Sequence, residues 1–149
     1  MSSSPKQRIY DDVKTAMREK DKLRLGTLRL ITAAIKQREV DERIELDDTA
    51  VLAVLDKMAK QYRDSIEQYR AAGRDDLVQK EVAELNIVTE YLPEAVNDTE
   101  LDALIRSAID ETGASSMADM GKIMAILKPK LQGRADMAAV SAKVKTLLG

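Results

Sequence analysis

Histidine and cysteine are both absent from the sequence, and each absence removes a class of chemistry. Without imidazole or thiolate there is no zinc-finger ligand set, no Cys or Ser–His nucleophile pair and no histidine acid–base catalysis. Disulfides cannot form, which suits a reducing compartment. Phenylalanine and tryptophan are missing too, so four tyrosines are the whole aromatic content. A core must then be built from Leu, Ile, Val, Met and Ala, as in helical bundles, and a base-stacking platform for single strands is disfavoured. No apolar run reaches the length of a membrane span, and the opening MSSSPKQRIYDDV lacks the apolar centre of a secretory signal. The expectation is a soluble, cytoplasmic protein with no membrane contact. Glycines are few and scattered, with no phosphate-cradling loop pattern, and the carboxylates show no EF-hand spacing. No cofactor or metal is expected.

What is present is charge, 34% of residues, and 44% hydrophobic content, the balance of a globular chain. The apolar residues recur at helical spacing, and no segment alternates with period two, so the fold class is all-α. Ser4 before Pro5 reads as a cap, with Gln7 completing a capping box. A second helix is expected to start near Asp21 and to carry Leu25, Leu28, Ile31 and Ile35. Asp47 caps a third, with Leu46 and Val51 as its hydrophobic staple, and Gly73 stops it. A fourth runs from Asp75 or Asp76 to Leu92, where Pro93 disfavours helical geometry. Asn97 and Glu100 read as a second capping box, opening a fifth helix that ends at Gly113. Ser116 and Asp136 are the expected caps of helices six and seven. In the stretch MGKIMAILKPKLQGRADMAAV, Lys-Pro-Lys is expected to close helix six and Gly-Arg to make the turn. The predicted architecture is an N-terminal bundle of about four helices, residues 1–92, and a three-helix C-terminal bundle, residues 97–149. The boundary falls at Tyr91–Val96.

Candidate chemistry is sparse. The adjacent acids Asp11/Asp12, Asp47/Asp48 and Asp75/Asp76 lie at or near helix starts, where carboxylates serve as caps and dipole partners. Ser116 has no glycine-rich setting and reads as a cap, and the methionines fall in core stripes. The charge map carries more. Residues 94–111 hold six acids against one arginine, a net −5, although the whole chain is only −2. Residues 118–149 hold Lys122, Lys128, Lys130, Arg134, Lys143 and Lys145 against two acids, a net +4, and residues 14–43 carry another +4. Lys128, Lys130 and Arg134 fall near the break before helix seven, whose backbone N–H groups could join them around a phosphate. These six cations are the candidate nucleic-acid contacts, with Lys143 and Lys145 at the rim.

Several segments together resemble the YqeY family. They are Ala16–Asp21 running into Leu28–Ile31, then Ala72–Leu77, Glu81 and Glu84 ahead of Tyr91-Leu92-Pro93, Asp119–Lys122, Pro129 and Gly133–Asp136. Ala125 and Met137 depart from the family pattern, standing where glycine is common. The resemblance covers essentially the whole chain, and its tail is similar to the C-terminal domain of the B subunit of aspartyl/glutamyl-tRNA amidotransferase. In that enzyme the tail helps hold tRNA, while activation and transamidation occur in parts this chain lacks. The resemblance thus implies a carbon–nitrogen ligase label with glutamine as amide donor, but no residues here constitute such a catalytic site. The expected function is a non-catalytic accessory protein that binds tRNA or associates with the amidotransferase or other translation components. It is not expected to read DNA sequence. The alternative is a helical protein–protein adaptor that binds no RNA.

Overall fold

A computed structural model describes residues 4–148. Among them are seven α-helices, one turn of 3-10 helix and no strand, the all-α class expected. The helices are α1 (Pro5–Glu19), α2 (Lys22–Glu42), α3 (Asp48–Ala71), α4 (Asp75–Thr89), α5 (Asp98–Thr112), α6 (Met120–Leu131) and α7 (Met137–Leu148). None is long and apolar enough to cross a membrane. Two compact units result, Met1–Pro93 and Glu94–Gly149.

In the N-terminal unit the helix starts are set by side chains. The Ser4 hydroxyl accepts from Gln7 N–H at 3.1 Å, Asp21 from Arg24 at 3.1 Å, and Asp47 from Ala50 at 2.8 Å. Each supplies an acceptor for one of the orphan amides of a first turn. The first expected capping box is only half made, because the Gln7 amide donates onward to Asp11 at 2.9 Å. The α4 start lacks a side-chain cap, and Arg74 instead forks onto Asp76.

The helix ends follow backbone rules. Gly73 adopts φ 71°, and the amides of Gly73 and Arg74 bond back to Arg70 and Tyr69, a Schellman closure. The same left-handed closure occurs at Lys20 and Arg43, where no glycine marks it. Because Arg43 is the closing residue, α2 runs through Glu42, three residues into the charged stretch VDERIELDD at residues 40–48. At the far end of the unit, Glu90, Tyr91 and Leu92 each bond three residues back, so α4 tightens and ends at Thr89 rather than at Leu92.

The core of this unit joins Ile9 of α1, Leu28, Ile31 and Ile35 of α2, Val51 and Leu55 of α3, and Val88 of α4, all fully buried. Leu46 and Val51, the expected staple, lie in it together. Glu39 fastens the α2–α3 link, accepting from Leu46 N–H at 2.9 Å and pairing with Lys6 at 2.7 Å. These two donors hold the Glu39 carboxyl below the usual range.

The tight turn at the end of α4 drives Tyr91 inward to 3% exposure, where its hydroxyl donates to Asp12 at 2.5 Å. Arg8 covers its ring at 5.2 Å from the centroid. Burial, then the Asp12 carboxylate, push the phenol up to about 12, and burial with Glu84 and Glu81 does the same for Tyr62. Both side chains favour the neutral form in the fold, whereas an unfolded tyrosine ionises near ~10. Stability is therefore whole below that pH and falls as pH rises from about 10 toward 12. Urea midpoints taken across that window are expected to fall less steeply for Tyr91→Phe than for the parent.

The C-terminal unit packs α5, α6 and α7 around Ile105, Ile123, Leu127, Leu131, Val140 and Val144. Asn97 caps α5 by accepting from Glu100 N–H at 2.8 Å, and Gly113 closes it at φ 67°. Ser116 does not cap α6 with its side chain. It precedes a single 3-10 turn, Met117–Asp119, and α6 begins only at Met120.

Lys-Pro-Lys does not close α6, which continues through Pro129 to Leu131. Proline forfeits one helical hydrogen bond at a cost of about 3 kcal/mol. Here it lies on the exposed face, between Leu127 and Leu131, both fully buried. Burying those two leucines holds the last turn helical against the proline. The turn after it is type II: Gln132 at φ −58°, ψ 123°, then Gly133 at φ 80°, with Arg134 N–H donating to Leu131 O at 2.8 Å. The second central position of this turn demands positive φ, which is why glycine stands there.

Candidate nucleic-acid interface

The six cations proposed as phosphate contacts all lie in the C-terminal unit, but they divide into two groups. Three face acids of their own unit. Lys143 of α7 pairs with Asp102 of α5 at 2.6 Å, and Lys122 lies 3.8 Å from Asp119. Arg134 clasps the start of α5: Nε donates to the Glu94 carbonyl at 3.0 Å and Nη2 to Glu100 at 2.8 Å. Its backbone carbonyl also accepts from Val96 N–H at 3.0 Å. The same contact accounts for the second expected capping box, since the Glu100 carboxylate that should turn back on Asn97 is drawn to Arg134.

Lys128, Lys130 and Lys145 form the second group. All three are exposed and none has an ion-pair partner among the described residues. Lys128 and Lys130 leave the last turn of α6 on either side of Pro129, about 160° apart at 100° per residue. Cations at a helix C-terminus also suit the macrodipole. At the start of α7, whose N–H groups were expected to join them around a phosphate, the Asp136 carboxylate accepts from Ala138 N–H at 3.0 Å. An anion arriving there would meet a carboxylate.

The net −5 of residues 94–111, which include most of α5, and the net +4 of residues 118–149 are thus in part complementary surfaces of one bundle. Asp102 with Lys143 and Glu100 with Arg134 are pairs remote in sequence, invisible to any window that slides along the chain.

A feature the sequence reading did not locate lies in the N-terminal unit. α2 and α3 separate to leave an open groove of about 590 Å³, lined by Ala34, Gln37 and Asp41 against Ala53, Val54, Lys57 and Met58. It adjoins a second space of about 300 Å³ where Leu30, Tyr62 and Glu81 meet. Ala34, Met58 and Gln61 line both. Glu84, one turn from Glu81 on α4, is half-buried, and burial followed by the Glu81 charge pushes its carboxyl up. Glu81 and Glu84 had stood out only as marks of the family resemblance.

Comparison with known proteins places the chain. A family model described as Yqey-like protein matches residues 6–148. The chain is 36% identical over 148 residues to "Altered inheritance of mitochondria protein 41, mitochondrial" of Pyrenophora tritici-repentis, covering 95% of this chain and 80% of that protein. It is 34% identical over 111 residues to the protein of that name from Lachancea thermotolerans, and 40% over 85 residues to the one from Eremothecium gossypii. It spans 59% and 46% of the lengths of those two relatives. Relatives named as mitochondrial overturn the cytoplasmic placement. Lack of cysteine and of long apolar runs speaks to disulfides and to membrane insertion, and neither property separates cytosol from mitochondrion. Matched along nearly its full length, the chain belongs to the YqeY family.

Proposed function

We propose that the protein is a non-catalytic accessory factor that holds tRNA through its C-terminal unit, in association with amidotransferase or other translation machinery. The observation that carries this reading is the set Lys128, Lys130 and Lys145, exposed and without acidic partners among the described residues, in a unit that pairs Lys122, Arg134 and Lys143 internally. A chain of net −2 has no general attraction for nucleic acid, so local unpaired cations must supply it. The similarity of the tail to the tRNA-holding domain of the amidotransferase B subunit supports the same partner. Phosphate contacts would fix position and orientation, and selectivity would come from the shape of a folded RNA. Ligase chemistry is assigned to the partner enzyme, since the sequence offers no cysteine nucleophile, no histidine base and no phosphate-binding loop.

With about three phosphates neutralised, the logarithm of tRNA affinity should fall with log salt at a slope of roughly −2 to −3. Replacing Lys128 and Lys130 together by alanine is expected to flatten the slope by roughly 1.5 to 2. Both side chains are solvent-exposed, so the thermal transition should stay in place. A filter-binding titration at several salt concentrations reads the result. An unchanged slope in the double variant would remove these lysines from the interface, and no retention of tRNA at low salt would remove the reading itself.

A further inference from the structure

The groove of the N-terminal unit is elongated rather than round. Its α2 wall runs from Leu30 to Asp41 and its α3 wall from Ala53 to Ser65, each about 16–18 Å at 1.5 Å per residue. That is three turns of helix. The floor is apolar, made by Ala34, Val54 and Met58, and small side chains at Ala34 and Ala53 keep it open. Leu30 stands 51% exposed at one mouth, an apolar side chain with no cover from its own unit.

Polarity differs between the two ends. Near the α2 C-terminus the charges balance: Arg38 pairs with Glu42, and Lys57 lines the groove together with Asp41, whose carboxylate accepts from the Gln37 amide at 2.9 Å. At the α4 end Glu81 and Glu84 have no ion-pair partner among the described residues, and Tyr62 stands against them. Lys80, on the same helix, lowers the Glu84 carboxyl less than burial and the Glu81 charge raise it. One end of an apolar channel is therefore neutralised internally and the other presents unbalanced acid.

We propose that this groove docks an amphipathic helix of a partner protein, about three turns long, which lays an apolar stripe on the Ala34–Val54–Met58 floor and sets a lysine or arginine between Glu81 and Glu84. Length and floor fit the helix-in-groove mode, in which anchors one turn apart enter an apolar cleft. The charge at the α4 end fixes both the sign of the partner and its direction along the groove. RNA does not suit this surface, because its phosphates would meet the same two carboxylates. This assignment stands apart from the tRNA reading, which uses the other unit.

The test uses the full chain and two labelled synthetic peptides of about 14 residues, roughly 21 Å as helices, with the same Leu/Ala stripe. One carries lysines at the end expected to face Glu81 and Glu84, the other glutamates. Fluorescence anisotropy should show the lysine peptide binding at least ~10-fold more tightly. That preference is expected to fall to within ~2-fold in Glu81→Gln/Glu84→Gln, which removes charge and keeps shape. Ala34→Trp, which fills the channel, should abolish binding of both peptides. Should that variant misfold, the glutamine pair still decides the matter. Equal affinity for the two peptides, binding of neither, or a preference that survives the glutamine substitutions overturns the proposal. Self-association abolished by Ala34→Trp would assign the groove to a second copy and overturn it as well.

Discussion

Leu127→Ala is expected to unfold the C-terminal unit while the N-terminal helices stay folded. Leu127 is fully buried and belongs to a cluster whose other fully buried aliphatics are Ile105, Ile123, Leu131, Val140 and Val144. Truncating such a leucine costs about 2–5 kcal/mol, the lost transfer free energy plus the cavity left behind. A core this small supplies only about 3–5 kcal/mol in net stability, so the loss is of the same order as the whole. The site has little capacity to relax. Pro129 already lacks one helical hydrogen bond, and the last turn of α6 is held by Leu127 and Leu131 entering the core on either side of it. Amide hydrogen exchange should show protection lost across α5–α7 and kept across α1–α4. Protection lost everywhere to the same extent would mean that the two units unfold as one cooperative body.

Much of this architecture could be read from local chemistry. Asp21, Asp47 and Asn97 cap where the sequence places them, because a side-chain oxygen and an amide three residues on form a contact that needs nothing else. Gly73, Gly113 and Gly133 mark positive φ for the same reason. The misses share a cause. Gln7 and Glu100 have the spacing of capping boxes but bond elsewhere, to Asp11 and to Arg134. Lys20 and Arg43 take left-handed closures that no glycine announces. Pro129 fails to end α6 because burial of its neighbours outweighs the local rule. In each case a competing contact, often distant in sequence, decides the outcome. The candidate site was legible to the same degree: the basic tail could be seen in composition, but which cations α5 had already claimed depended on how the helices pack.

Arg134→Ala is expected to destabilise the C-terminal unit by about 1–2 kcal/mol, where Lys128→Ala should change stability by less than ~0.5 kcal/mol. The difference lies in what each side chain touches. Arg134 bonds both the Glu94 carbonyl and the Glu100 carboxylate, tying the turn after α6 to the entry of α5. Bonds to charged groups contribute about 1.5–3 kcal/mol when shielded and exposed ion pairs about 0–1, and partial exposure places this clasp between those ranges. For a small unit, 1 kcal/mol moves the melting temperature by roughly 4–8 °C. A double-mutant cycle with Glu100→Ala isolates the pair, and a coupling above ~0.5 kcal/mol would establish it. The result bears directly on how RNA binding is read. If Arg134 is a clasp, Arg134→Ala weakens tRNA retention only in proportion to the fraction unfolded, and cooling restores it. Lys128→Ala weakens it at every temperature by flattening the salt dependence. A variant Arg134→Ala that melts like the parent yet binds tRNA poorly would reverse the assignment and return this arginine to the interface.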